Sequence, residues 1–596
     1  MIFRTDSPLL VSYAQTMTMA LSRWVRGRGR QRAAIYAGAI TLVGMGLFIS
    51  ILHSSLSTQT LAVNLLASGW TYAPGAQLEN DGVHVSYLGR SIVRQDGTPG
   101  QDNPPVNLYG LHLAGDGDLT VTAAATALHG TAVLRLYGTP PVISDEFRQE
   151  PDSLELALTP TTLKVARWHA YAGGSAYAQA AAETHTVTFT RTDRPVVRVQ
   201  RQAGKFTVSI NGAAVYSTAV DGQLAHALWF GVSAAHPGDA WTLGRLDANI
   251  SHSVAVIDTE HIALPARQGD GLQTLATHAR PGFTVGAAVA LGPLVADDTY
   301  RKLALSGNFG QITTENVLKW QFIHPQPQTY DFREADALVA IARQAGLAVQ
   351  GHTLVFGEAN PSWVQQLSYT TDADKAHVRQ VMVDHITQTV GHFKGKVASW
   401  DVVNEPLADY DAAAGADGLR QHVWYKALGS EYIATAFRAA RAADPHARLF
   451  MNEFGLEADG PRWNTFLQLV TQLKAQGVPI DGVGFEAHVY DSGDVIDPSI
   501  LRAHIRQLAA IGVDSRVSEM DVYSDDGTDV QARQYAAVFA ACFAEPTCVS
   551  WSTWGITDRY DLSLDDKNRI RPGADFLWDA NGQPTPAVAA IRRVIH

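Results

Sequence analysis

Trp-Asp-Val-Val-Asn-Glu-Pro, residues 400–406, is the stretch on which the fold turns. Its apolar centre reads as a short buried strand, and it ends on a carboxylate. A carboxylate at the end of such a strand is costly to bury unless it is paired. A second run of the same kind, Val-Ser-Glu-Met-Asp-Val (517–522), carries Glu519. Two such strands facing each other in a barrel would turn Glu405 and Glu519 into one cleft, a pairing suited to acid and nucleophile work on a glycosidic bond.

The flanking sequence repeats strand, loop and helix. Strands are expected at 283–289, 310–314, 347–356, 398–403, 448–452, 482–488, 515–520 and 548–554. Helical stretches fall between them at 332–345, 374–393, 430–443, 461–476, 497–511 and 529–543. Eight strands alternating with helices predict a (β/α)8 TIM barrel over residues 272–596, with its site at the C-terminal strand ends. Polar residues collect at those ends: Glu315, Asn316 and Lys319, then His352, Asn404 and Glu405, then Asn452 and Glu453, then Glu486 and His488, then Glu519 and Asp521, and finally Trp554.

Residues 63–252 read differently. Period-two alternation recurs, as in Ala132-Val-Leu-Arg-Leu-Tyr, and Asn211-Gly212 between two strands signals a hairpin. This predicts an all-β sandwich that resembles concanavalin-like jelly rolls, a group with many carbohydrate-binding members. Trp168, Tyr171, Trp229 and Trp241 are its candidate sugar-stacking aromatics, although such residues more often belong to the core or its edge. Residues 253–271 read as a linker.

Residues 33–52 form an uncharged apolar run, preceded by Arg23, Arg26, Arg28, Arg30 and Arg32. About 20 residues of helix span roughly 30 Å, the hydrocarbon thickness of a bilayer. The expectation is a basic cytoplasmic leader (1–32), a transmembrane signal anchor (33–52) and the remainder on the extracytoplasmic side. A cleaved signal peptide followed by secretion is the alternative.

The chain has 596 residues, 46% of them hydrophobic and 17% charged, so it is globular and too long for one core. A formal net charge of −12 argues against nucleic acid as the main partner. The only cysteines are Cys542 and Cys548, close enough for a small disulfide loop; two buried free thiols are the alternative. No further ligand stands at zinc spacing beside them.

Six motifs, in order, carry a family resemblance: Thr-Thr-Glu-Asn-Val-Leu-Lys-Trp (313–320), Gly-His-Thr-Leu-Val (351–355), residues 400–406, Gly-Val-Gly-Phe-Glu-Ala-His (482–488), Ser-Glu-Met-Asp-Val (518–522) and Trp-Gly-Ile-Thr-Asp (554–558). Residues 272–596 resemble family 10 glycoside hydrolases, best known as endo-1,4-β-xylanases. The resemblance implies Glu405 as acid/base and Glu519 as nucleophile, with carboxyls roughly 5–5.5 Å apart and retained configuration. It implies that His488 bonds Glu519 while Asp521 orients the imidazole, and that Asn404 takes the sugar 2-OH. It further implies that Glu315, Asn316, Lys319 and His352 hold hydroxyls beside a Trp554 platform, and that Cys542 and Cys548 are joined. The chemistry needs no metal or organic cofactor, and the implied partner is a polysaccharide.

The chain departs from the family pattern where Phe356 replaces a Trp, Gly357 a His, Glu486 a Gln, and Asn452-Glu453-Phe454-Gly455 an Asn-Asp-Tyr-Asn stretch; a late Trp falls at Leu562. These changes are expected to widen the pocket near the reacting sugar, and Glu486 adds a charge beside the nucleophile. The competing function is a membrane-tethered polysaccharide-binding protein with an impaired barrel.

Overall fold

The computed structural model describes residues 61–596 apart from short stretches, the longest being 170–182 and 561–574. Residues 1–60, with the expected leader and anchor, lie outside the described residues. Among the described residues no helix is long and apolar enough to cross a membrane.

Eight parallel strands form a closed barrel: β1 (Thr284–Val289), β2 (Gln311–Thr314), β3 (Ala348–Gly351), β4 (Ser399–Asn404), β5 (Arg448–Glu453), β6 (Gly482–Phe485), β7 (Asp514–Val522) and β8 (Cys548–Thr553). Each pairs with its neighbour in sequence; β8 pairs with β1 and β6 with β7, which leaves no open edge. Strand β4 is buried along its whole length, the polar Ser399, Asp401 and Asn404 included. Helices Arg333–Gln344, Asp372–His392, Glu431–Ala443, Pro461–Ala475, Pro498–Ala510 and Thr528–Ala544 fill the expected places between strands. The Asp372–His392 helix opens on a capping box in which Thr371 and Asp374 satisfy each other's backbone.

The sixth strand is shorter than the sequence suggests. Ala487 has φ +62°, which breaks the strand after Phe485; His488–Val489 then resumes as a two-residue strand against Asp521 and Val522. That break lets Glu486 and His488 both reach the rim.

The N-terminal half holds two antiparallel sheets that share one apolar core, with Leu136, Leu156, Val208 and Phe230 among its buried members. Strands Lys205–Ile210 and Ala213–Ala219 meet at Asn211 and Gly212, both at positive φ, as the Asn-Gly signal predicts. The stretch expected to be a linker contributes a strand. Ala255–Asp258 pairs with Val106–Ala114, because Val256 packs on the same core. Trp229 and Trp241 are buried, and the Trp241 indole donates to the Ser233 carbonyl at 2.9 Å. Neither offers an open face to a sugar; Tyr171 lies outside the described residues.

Candidate active site

Glu405 follows the last residue of β4 and adopts φ +47°, a conformation rare outside glycine. Its N–H donates to the Asn452 carbonyl at 2.9 Å, which secures the turn. Asn404 Nδ2 donates to Glu405 Oε1 at 3.1 Å, and Arg420 Nη2 to Oε2 at 2.8 Å. Burial pushes the Glu405 carboxyl well above its ordinary value; the charges of Glu486 and Glu358 add to this, and Arg420 opposes it. A carboxyl whose proton affinity is raised in this way is suited to general acid work.

Glu519 sits near the C-terminal end of β7, 4% exposed. Asn452 Nδ2 donates to its Oε1 at 2.7 Å. The same nitrogen lies 3.0 Å from Glu486 Oε1 and 2.9 Å from Asn404 Oδ1. Ser518 Oγ donates to Asn452 Oδ1 at 2.6 Å, which fixes which end of the amide faces the carboxyls. Asn452 therefore connects both glutamates, reaching Glu405 through Asn404. His488 Nδ1 lies 2.9 Å from both Asp521 oxygens, as the resemblance implies. Its Nε2 is 3.5 Å from Glu519 and equally 3.5 Å from Glu486, a longer approach than the expected bond to the nucleophile.

A buried polar chain supports Glu519 from inside the barrel. Gln311 donates to Gln350, and Gln350 to Asp401 at 2.7 Å. Asp401 also bonds His352 Nδ1 at 3.1 Å and pairs with Arg516. Burial alone would push Asp401 up; Arg516, His352 and Gln350 together outweigh it and hold the carboxyl below its usual range. His352 Nδ1 stands 3.7 Å from Glu519 Oε1, so the chain ends at the nucleophile candidate.

Lys319 Nζ bonds Asn316 Oδ1 at 3.1 Å and lies 5.6 Å from the Trp554 ring centre; Asn316 donates to Glu315 at 3.3 Å. His352 meets Trp554 edge-on at 5.1 Å. Lys319 and His352 are thus buried and engaged, while Glu315 and Trp554 are half-buried.

Phe356 is buried, and its carbonyl accepts from the Trp424 indole at 3.0 Å. The widening expected at Gly357 does not arise there. A Cβ at that position would lie 3.0 Å from His422 Cδ2 and 3.1 Å from Arg420 Cδ, so those side chains fill the room. Arg420 bonds Glu358 and Asp409 as well as Glu405. Nothing in the surrounding sequence marks Arg420, since only the folded loop brings it to Glu405. Asp401 was more visible, as an acid inside an apolar strand.

Glu453, Glu457 and Glu486 are further buried acids. Glu453 pairs with Arg462 at 2.6 Å and accepts from the Leu407 N–H at 2.9 Å, yet burial leaves its carboxyl pushed up to about 7. Glu457 accepts from the Ala487 N–H at 2.7 Å and is also raised by burial. Burial, and then the Glu519 charge, push Glu486 well above its ordinary value. Glu486, His488 and Glu519 each bring one donor atom within 4.8 Å of the others. Two ionised carboxylates at that spacing repel by about 3–4 kcal/mol at an effective dielectric constant of ~20. A proton or a cation would relieve the repulsion.

A (β/α)8 barrel whose fourth and seventh strands turn two amide-linked carboxyls to one rim is the architecture of an O-glycoside hydrolase. Residues 274–594 match the model of glycosyl hydrolase family 10, and the chain belongs to that family. It is 34% identical over 327 residues to an endo-1,4-beta-xylanase of Agaricus bisporus, covering 54% of this chain and 93% of that protein. A beta-1,4-xylanase of Dictyoglomus thermophilum is 36% identical over 320 residues, covering 51% and 86%. Xylanase 10B of Thermotoga maritima superposes with a TM-score of 0.50 at 33% identity, covering 55% of this chain and 98% of that one.

Proposed function

We propose that the protein cleaves β-glycosidic bonds in xylan or a related polysaccharide with retention of configuration. The observation that carries this reading is the amide bridge: Asn452 donates to Glu519, and Asn404, its acceptor, donates to Glu405. Glu519 attacks the anomeric carbon, and the C–O bond to the leaving sugar breaks as Glu405 passes its proton to the departing oxygen. Glu405 then takes a proton from water, which attacks the glycosyl ester and frees Glu519. His352 and His488 frame the nucleophile, Asn404 is placed to meet the 2-OH, and Glu315, Asn316, Lys319 and Trp554 line the glycone side. The xylanase relatives support the substrate class.

The same reading places the barrel outside the cytoplasm, tethered by residues 33–52. It is supported by the arginines before that run and by the Cys542–Cys548 disulfide, which belongs to oxidising compartments. Protease added to intact cells should then remove the barrel. A carbohydrate-binding role for a jelly-roll-like N-terminal sandwich would rest chiefly on Trp168, which is half-buried.

Incubating the purified chain with xylan and other polysaccharides tests the activity. Reducing ends should appear with the wild type and vanish with Glu519→Ala, while retention of glycan persists. A protein that only binds would release none in either form.

A further inference from the structure

We propose that Glu486 and Glu519 share one proton, so that Glu486 stands as a neutral carboxylic acid positioning the nucleophile. The inference rests on Glu519 being that nucleophile. Its basis is the crowding of acceptors around Asn452. The Nδ2 group has two hydrogens and meets three oxygens, at 2.7 Å on Glu519, 3.0 Å on Glu486 and 2.9 Å on Asn404. His488 offers one further atom, Nε2, at 3.5 Å from each carboxyl, while Asp521 occupies its Nδ1.

The surrounding charges do not remove the need for a proton: His488 lowers the Glu486 carboxyl through its hydrogen bond and charge, but burial and the Glu519 charge outweigh it. The Glu453 carboxylate from β5 adds to the repulsion, and Glu405, protonated as the general acid, supplies no compensating charge. Arg462 is spent on Glu453, and Arg420 on Glu405, Glu358 and Asp409. Asp401 engages Arg516. A cation is a poorer answer, because the Asn452 N–H group points at both Oε1 atoms and would repel it. A hydrogen on Glu486 supplies the missing donor. It stays on Glu486 while the Glu519–sugar bond forms, the leaving-group bond breaks and Glu405 gives up its own proton. A glutamine, with its N–H, would position Glu519 in the same way, whereas an alanine would not.

Infrared difference spectra of the full chain test this directly. The wild type at pH 7 should show the carbonyl band of a protonated carboxyl that is missing from Glu486→Gln. In Glu519→Gln the charge beside Glu486 is gone, and the band should disappear on raising the pH with a midpoint lower by about one unit or more than in the wild type. For turnover, Glu486→Gln should exceed Glu486→Ala in kcat/KM by about tenfold or more. No band assignable to Glu486, an unmoved midpoint in Glu519→Gln, or equal impairment of the two Glu486 variants would overturn the proposal. The spectroscopic measurements need no turnover, so they decide it even if no polysaccharide is cleaved; failure of the hydrolase reading would appear separately, as an inactive wild type.

Discussion

Asn452 Nδ2 stands 2.7 Å from Glu519 Oε1, the shortest polar contact described for that carboxyl. Asn452 lies on β5 and Glu519 on β7, so their meeting is a product of barrel closure across the intervening strand. Replacing Asn452 by Ala removes the donor shared by Glu519, Glu486 and Asn404. The expected result is a loss of about 10²–10³ in kcat, with KM changed far less, as for other preorganised donors to a reacting centre. Steady-state kinetics on a soluble oligosaccharide would show it.

Arg420 restrains the proton affinity of Glu405, since its guanidinium lowers what burial raises. In Arg420→Met the Glu405 carboxyl should hold its proton to higher pH. The general acid must be protonated to act, so the alkaline limb of kcat/KM should move upward. Glu405, Glu358 and Asp409 also lose their common partner, and a stability loss of about 3 kcal/mol is expected from chemical denaturation.

Glu453 couples stability to pH. Its carboxyl is raised from 4.5 to about 7 in the folded chain. Between those values the unfolded chain releases a proton that the folded chain keeps, so stability falls as pH rises through that window. The contribution is full below the lower value and lost above the upper one, amounting to about 3 kcal/mol. Urea midpoints at pH 5 and pH 8 should therefore differ less in Glu453→Gln than in the wild type.

Arg280 fastens the disulfide loop. Its guanidinium donates to the carbonyls of Cys542, Phe543, Glu545, Pro546 and Cys548 at 2.8–3.1 Å. Carbonyls 542 and 543 belong to the last turn of the Thr528–Ala544 helix, where a cation is also favoured by the helix dipole. Arg280→Ala should cost about 2–3 kcal/mol, as should reduction of the short Cys542–Cys548 loop. Thermal unfolding with and without reductant separates the two.

The barrel was legible because its strands are short apolar runs with a polar residue at one end, and because helix amphipathy has a different period. The six helices expected between strands agree with the observed ones within a residue or two, as at 332–345 against Arg333–Gln344, while others such as Asp298–Leu305 and Pro586–Ile595 were not foreseen. Strand ends were less legible. The sixth strand stops at Phe485 because Ala487 turns to positive φ, which no residue type there announces. Glu405, Glu519, His488 and Asp521 were visible as polar groups closing apolar runs. Arg420 was not, since it lies on a loop and reaches Glu405 only through tertiary packing. The space at Gly357 was misjudged for the same reason, because the side chains that fill it come from residues more than sixty positions away.

Proton NMR of the sugar first released from a β-linked xylan oligosaccharide tests the central claim most directly, because it reports how Glu405 and Glu519 divide the work. If Glu519 forms a glycosyl ester while Glu405 delivers the proton, the β-anomer appears first and the α-anomer grows only by mutarotation. Release of the α-anomer first would mean that water, and not Glu519, attacks the anomeric carbon, and would contradict the assignment of both residues.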